Sequence, residues 1–95
     1  MDAELKVPGG KLVRVELDVE DGRLRDVKIT GDFFLYPEEA IEGLESALRG
    51  LSVDSDFEAV VTQRLRELGA ELLGAAPSDI AAAIRRALSP LRPPA

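Results

Sequence analysis

The sequence predicts an α+β fold: a three-stranded antiparallel meander followed by three helices packed on one sheet face. Three observations predict it. Residues 12–20, LVRVELDVE, alternate apolar and charged positions, the pattern of a strand in a sheet with one buried face. Asp21-Gly22 follows, a hairpin-turn dipeptide in which Gly accepts positive φ without steric cost. Beyond Pro37 the apolar spacing becomes helical, in three stretches separated by Gly, Pro and Ser signals.

The first strand is expected at Glu4–Val7, joined to the second through Pro8-Gly9-Gly10. On the second strand Val13, Val15, Leu17 and Val19 face inward, and Arg14, Glu16 and Asp18 face outward. The third runs from roughly Leu24 to Thr30, with Val27 and Ile29 inward. A two-residue Asp21-Gly22 loop pairs Val19 with Leu24 but would also set Leu17 against Asp26. Matching Leu17 to Val27 and Val15 to Ile29 needs one extra residue, so a bulge near Arg25-Asp26 or a three-residue turn is expected.

For the first helix, Pro37 suits the first helical position, and Glu38 and Glu39 suit the positive end of the dipole. Its apolar stripe is Ala40, Ile41, Leu44, Ala47 and Leu48, with Gly50 as the stop. A second helix is expected from Ser55, where Ser55-x-x-Glu58 has the form of a capping box. Phe57, Val60, Val61, Leu65, Leu68 and Leu72 line its buried side, and it ends near Leu68 or runs raggedly to Leu73. Pro77-Ser78-Asp79 opens a third helix with Ile80, Ile84, Ala87 and Leu88 inward. The Pro-rich tail, residues 90–95, should fray, leaving 1–95 as one domain.

The 95 residues, 45% hydrophobic and 32% charged, describe a globular chain with a modest core. No apolar run approaches the roughly 18 residues of a membrane span, and MDAELKVPGG lacks the features of a secretory signal. A cytoplasmic location is the expectation. There is no Cys and no His, which removes thiol and imidazole chemistry and the usual zinc and iron ligands. A net charge of −6 argues against nucleic acid and anionic membranes, and favours a partner with a basic patch.

Motifs for chemistry are sparse. Asp32, beside aromatics, is a candidate general acid, although Asp at a strand-to-helix bend more often bonds the backbone. Asp54, Asp56 and Glu58 lack the glycine and the spacing of a calcium loop. Pro8-Gly9-Gly10-Lys11 leads into a strand, so no helix N-terminus is there to cradle a phosphate. Arg14, Arg23, Arg25 and Lys28 are interleaved with acids, as on a solvated strand face. No catalytic, cofactor-binding or metal-binding residue is assigned.

What remains is Phe33-Phe34-Leu35-Tyr36, which holds three of the four aromatic residues (three Phe and one Tyr). Strand parity carried on from Val27 and Ile29 through Gly31 places Phe33 inside. Phe34 and Tyr36 then either pack on the first helix or stay exposed as interface anchors.

The segment GRLRDVKITGDFF, residues 22–34, resembles the C-terminal accessory domain of lipoate–protein ligases, in which a hairpin leads into Gly-Asp-Phe-Phe and a helix ending in Gly. The likeness runs from about Gly10, through LVRVELDVEDG and KITGDFF, to AIEGLESALRG at Gly50. The end, ELLGAAPSDIAAAIRRALSPLRPPA, matches in layout only. The resemblance implies the fold of the iron–sulfur assembly scaffolds (SufE/NifU-like), without their function, since those use cysteine ligands. In the family the large domain binds lipoate and ATP, with Mg expected there, makes lipoyl-AMP, and transfers lipoyl to a lysine of an acceptor domain. The small domain supports adenylation and contributes no catalytic side chain.

By resemblance, then, this chain is a free-standing, non-catalytic small subunit of a two-component, archaeal-type ligase. An excised C-terminal domain with an added Met would read the same. Its partner is the catalytic subunit, as a heterodimer, and lipoyl-acceptor domains only indirectly. Gly31, Asp32, Phe33, Phe34 and Tyr36 are the expected partner-binding residues. Two rival readings stand beside this one: an adaptor with an unrelated basic partner, and an enzyme using Asp32. The sheet edge at Glu4–Val7 is a possible site of self-association if left uncovered.

Overall fold

The structure, a computed structural model, describes residues 1–9 and 11–91. Strands β1 (Asp2–Lys6), β2 (Leu12–Glu20) and β3 (Arg23–Gly31) form an antiparallel meander in that order. Alternation does what the sequence implies: Val13, Val15, Leu17, Leu24, Val27 and Ile29 are buried on one face. The opposite face is charged. There Arg14 binds Glu4 at 2.8 Å and both Asp2 and Glu16 at 3.2 Å. Its hydrogen bonds to Glu16 and then Glu4 raise the guanidinium pKa above its ordinary value.

The hairpin register matches the expected compromise. Asp21 and Gly22 take φ of 53° and 74°, so the turn has two residues. Val19 pairs with Leu24 and Val15 with Ile29, and the ladder slips between Glu16 and Asp18. Asp26, at φ 51°, is the extra residue that returns Val27 to the core side. β1 begins two residues earlier than expected, because Met1 and Leu17 exchange backbone hydrogen bonds of 2.8 Å in both directions. Val7 has left the strand, although its side chain is buried and its N–H donates to the Lys11 carbonyl at 2.8 Å. In the connecting turn Pro8 and Gly9 are seen, whereas Gly10 lies outside the described residues.

Three helices cover the inner face. α1 (Ala40–Leu48) lies along β3 and α3 (Pro77–Leu88) along β1 and β2, while α2 (Phe57–Leu68) spans α1 and α3. Leu44, Leu48, Phe57, Val61, Ile80 and Ile84 meet the strand residues in one core. α1 and α2 approach closely at Gly43, where a Cβ would stand 2.9 Å from a Leu68 methyl. The Glu45 carboxylate accepts the Ile29 N–H at 2.8 Å and so ties α1 to the outer edge of β3.

Three expectations are corrected. Pro37 does not open α1: the chain stays extended through Tyr36, and a turn in which the Ala40 N–H reaches the Pro37 carbonyl precedes the helix. Asp56, not Ser55, caps α2, its Oδ1 accepting the Ala59 N–H at 3.1 Å. The carboxylate is one residue closer to the free amides, and Ser55 belongs to the preceding turn. Finally, of the two ends expected for α2 the one at Leu68 is observed, with Gly69 left-handed at φ 61°, and the ragged alternative to Leu73 is overturned because that segment is a strand. That strand, β5 (Glu71–Leu73), pairs antiparallel with β4 (Phe34–Tyr36) as a second, two-stranded sheet.

At α3, Pro77 occupies the first turn and the Asp79 carboxylate accepts the Ala76 N–H at 2.8 Å. Near its C-terminal end, Arg86 donates to the Glu4 carbonyl at 2.9 Å. The sheet edge that the sequence leaves open at Glu4–Val7 is thus covered in part. Ser89–Leu91 form a 3-10 turn, and residues 92–95 of the expected fraying tail lie outside the described residues.

Candidate functional site

The site grows from a close crossing at the end of β3. A Cβ on Gly31 would stand 2.2 Å from the carbonyl oxygen of Leu12, at a φ of 154°, so only glycine fits. The Asp32 N–H donates to that same oxygen at 2.9 Å. Gly31-Asp32 therefore closes the meander at its far end and sends the chain over the start of β2. Phe33 follows, partly buried and packed on the core.

From there β4 obeys strand parity. Leu35 is buried, while Phe34 and Tyr36 are 60% and 55% exposed. Antiparallel pairing places Leu73, 43% exposed, directly opposite Phe34, and Glu71 opposite Tyr36. Leu35 and Leu72 pair behind them, against the protein. Among the described residues the large exposed hydrophobics are Phe34, Tyr36, Leu73 and Met1, so three of these four share one face of one ribbon. A shallow, open depression beside it is lined by Phe34, Tyr36, Glu38 and Ile41.

Phe33 packs inward as expected, and of the two placements open for Phe34 and Tyr36 the exposed one is observed. Gly31 and Asp32 hold the backbone that leads into that face, and Asp32 lines a depression at its border together with Phe34. Leu73 was not anticipated, because residues 71–73 were read as either a ragged helix end or the loop after it, not as a strand. The available signal was a short Glu71-Leu72-Leu73 segment held between Gly69 and Gly74.

Asp32 itself is exposed, at the rim of an open depression shared with Lys11 and Phe34. Among the described residues no group of three or more His, Cys, Asp and Glu side chains is placed to hold a metal ion. Asp56, from the acidic triplet, is committed to capping α2. Of the strand arginines, Arg14 and Arg25 pair with neighbouring acids and Arg23 donates to the Gly50 carbonyl at 2.9 Å. Among the described residues no helix is long and apolar enough to cross a membrane.

Fold and site together define a small α+β domain with a charged outer sheet face and an apolar ribbon at one end. Residues 2–84 match the family model described as bacterial lipoate protein ligase C-terminus, and the chain belongs to that family. A similar solved structure is of an archaeal lipoylation system, a bi-partite lipoate protein ligase and its E2 lipoyl domain from Thermoplasma acidophilum. The TM-score is 0.78 at 33% identity, over 90% of this chain and 93% of that one. The chain is also similar to lipoate-protein ligase A subunit 2 of Thermoplasma acidophilum, 49% identical over 43 residues. That match covers 45% of this chain and spans under half, 46%, of the relative.

Proposed function

We propose that this protein is a free-standing, non-catalytic subunit that binds the catalytic subunit of a lipoate–protein ligase as a heterodimer and supports ATP-dependent formation of lipoyl-AMP. Lipoate, ATP and Mg reside on the catalytic partner, and lipoyl-acceptor domains meet this chain only through it. The carrying observation is the exposed face of Phe34, Tyr36 and Leu73 in a chain of this family. The likeness to a component of a bi-partite ligase supports a separate subunit.

Exposed aromatics on a paired ribbon suit an interface anchor, because they bury large area while losing few rotamers. Gly31, Asp32 and Phe33 serve that face by fixing the path of β4. Support for adenylation then follows from preferential binding to the adenylation-competent shape of the partner, since a ligand shifts an equilibrium only through differential affinity. The test mixes the purified chain with the catalytic subunit, lipoate, Mg and ATP, and follows lipoyl-AMP. A marked increase is expected on adding the chain. Equal formation with and without it overturns the proposal.

A further inference from the structure

The apolar ribbon face is not bordered neutrally. Glu71 stands opposite Tyr36 on the same face, Glu38 lines the depression with Phe34 and Tyr36, and Asp32 lines the neighbouring one with Phe34. All three carboxylates are exposed. Many acids elsewhere are matched: Glu4 and Glu16 to Arg14, Glu20 to Arg25, Glu67 to Arg64, and Glu45, Asp56 and Asp79 to backbone amides. Asp21, Asp26, Glu39, Glu42 and Glu58 also make no ion pair or side-chain hydrogen bond among the described residues but do not border the apolar ribbon face. Among the described residues Asp32, Glu38 and Glu71 make no ion pair and no side-chain hydrogen bond. Among the described residues no cation lines the depression with Glu38, and Lys11 is the one cation lining that with Asp32.

Unmatched like charges around an exposed apolar centre have the anatomy of an interface rim, where charge sets partner choice and association rate more than affinity. We infer that the face of Phe34, Tyr36 and Leu73, rimmed by Asp32, Glu38 and Glu71, seats on a protein surface with an apolar depression bordered by Lys and Arg side chains. This inference rests on the accessory-subunit reading and places that basic-rimmed surface on the catalytic subunit. The net charge of −6 adds a long-range field of the same sign. Encounter is steered by charge, and the aromatic contacts then hold the complex.

The experiment measures association and dissociation rates with the cognate catalytic subunit at low and high salt. It compares the natural chain, a rim variant (Asp32→Asn, Glu38→Gln, Glu71→Gln) and a control with the same charge change elsewhere (Asp18→Asn, Glu20→Gln, Glu58→Gln). Circular dichroism confirms that each is folded. The natural chain should associate about tenfold faster at low salt than at high salt. The rim variant should lose most of that difference with little change in dissociation, while the control keeps most of it. Binding whose rates the rim variant leaves untouched, or changes no more than the control does, overturns this inference and leaves the accessory reading standing. Absence of any binding by the natural chain overturns both.

Discussion

Phe34 and Leu73 lie directly opposite each other across the β4–β5 pair, 60% and 43% exposed, although 39 positions separate them in the chain (73 − 34). The pair joins the end of the meander to the segment between α2 and α3, and turns two unremarkable exposures into one apolar face. Cross-strand neighbours of this kind stabilise one another modestly, by about 0.2–1 kcal/mol.

Phe34→Ala therefore separates folding from docking. The ring is mostly in solvent, so stability should fall by about 1 kcal/mol or less. Loss of a central aromatic anchor should weaken binding to the catalytic subunit by about 2 kcal/mol, roughly thirtyfold in Kd. Thermal unfolding and calorimetric titration measure the two. A loss of stability with unchanged affinity would place the interface elsewhere.

Gly31→Ala tests the crossing. A Cβ placed 2.2 Å from the Leu12 carbonyl oxygen forces the two strand ends apart and strains the hydrogen bond from Asp32. The expected cost is about 2–4 kcal/mol in urea unfolding. Gly22→Ala, at φ 74° but facing open space, should cost only about 1–2 kcal/mol. Equal losses at both positions would mean that backbone conformation, not the close approach, explains Gly31.

Glu45→Ala removes the acceptor of the Ile29 N–H at the edge of β3. Leaving that part-buried donor unpaired should cost about 1–3 kcal/mol, and Glu45→Gln, which keeps an acceptor oxygen, markedly less. Hydrogen exchange at the Ile29 amide gives the direct readout: faster in the Ala variant and near the natural rate in the Gln variant.

Asp56→Ala and Ser55→Ala distinguish the two candidate caps of α2. Removing the carboxylate that accepts the Ala59 N–H should destabilise by about 1 kcal/mol. Ser55→Ala should stay within about 0.5 kcal/mol, as surface changes usually do. The reverse order in melting temperature would restore the Ser55 assignment.

The sequence by itself determined the meander, the inward set of β2 and β3, the need for an extra residue near Asp26, and the apolar stripes of three helices. These are readable because period-2 and helical spacing, turn dipeptides and a two-residue hairpin are all local, and core burial enforces them. It also placed Phe33 inside by strand parity, while the exposure of Phe34 and Tyr36 was one of two readings that the structure decided. The tertiary structure alone decided the β4–β5 pairing, the place of Leu73 on the apolar face, and the capping of the β1 edge by Arg86. Three-residue strands are too short to show a period, and their hydrogen bonds form only once α1 and α2 bring distant backbone together. Gly31 belongs to both accounts: sequence marked it as part of a motif, and the Leu12 carbonyl beside it explains why no side chain fits there.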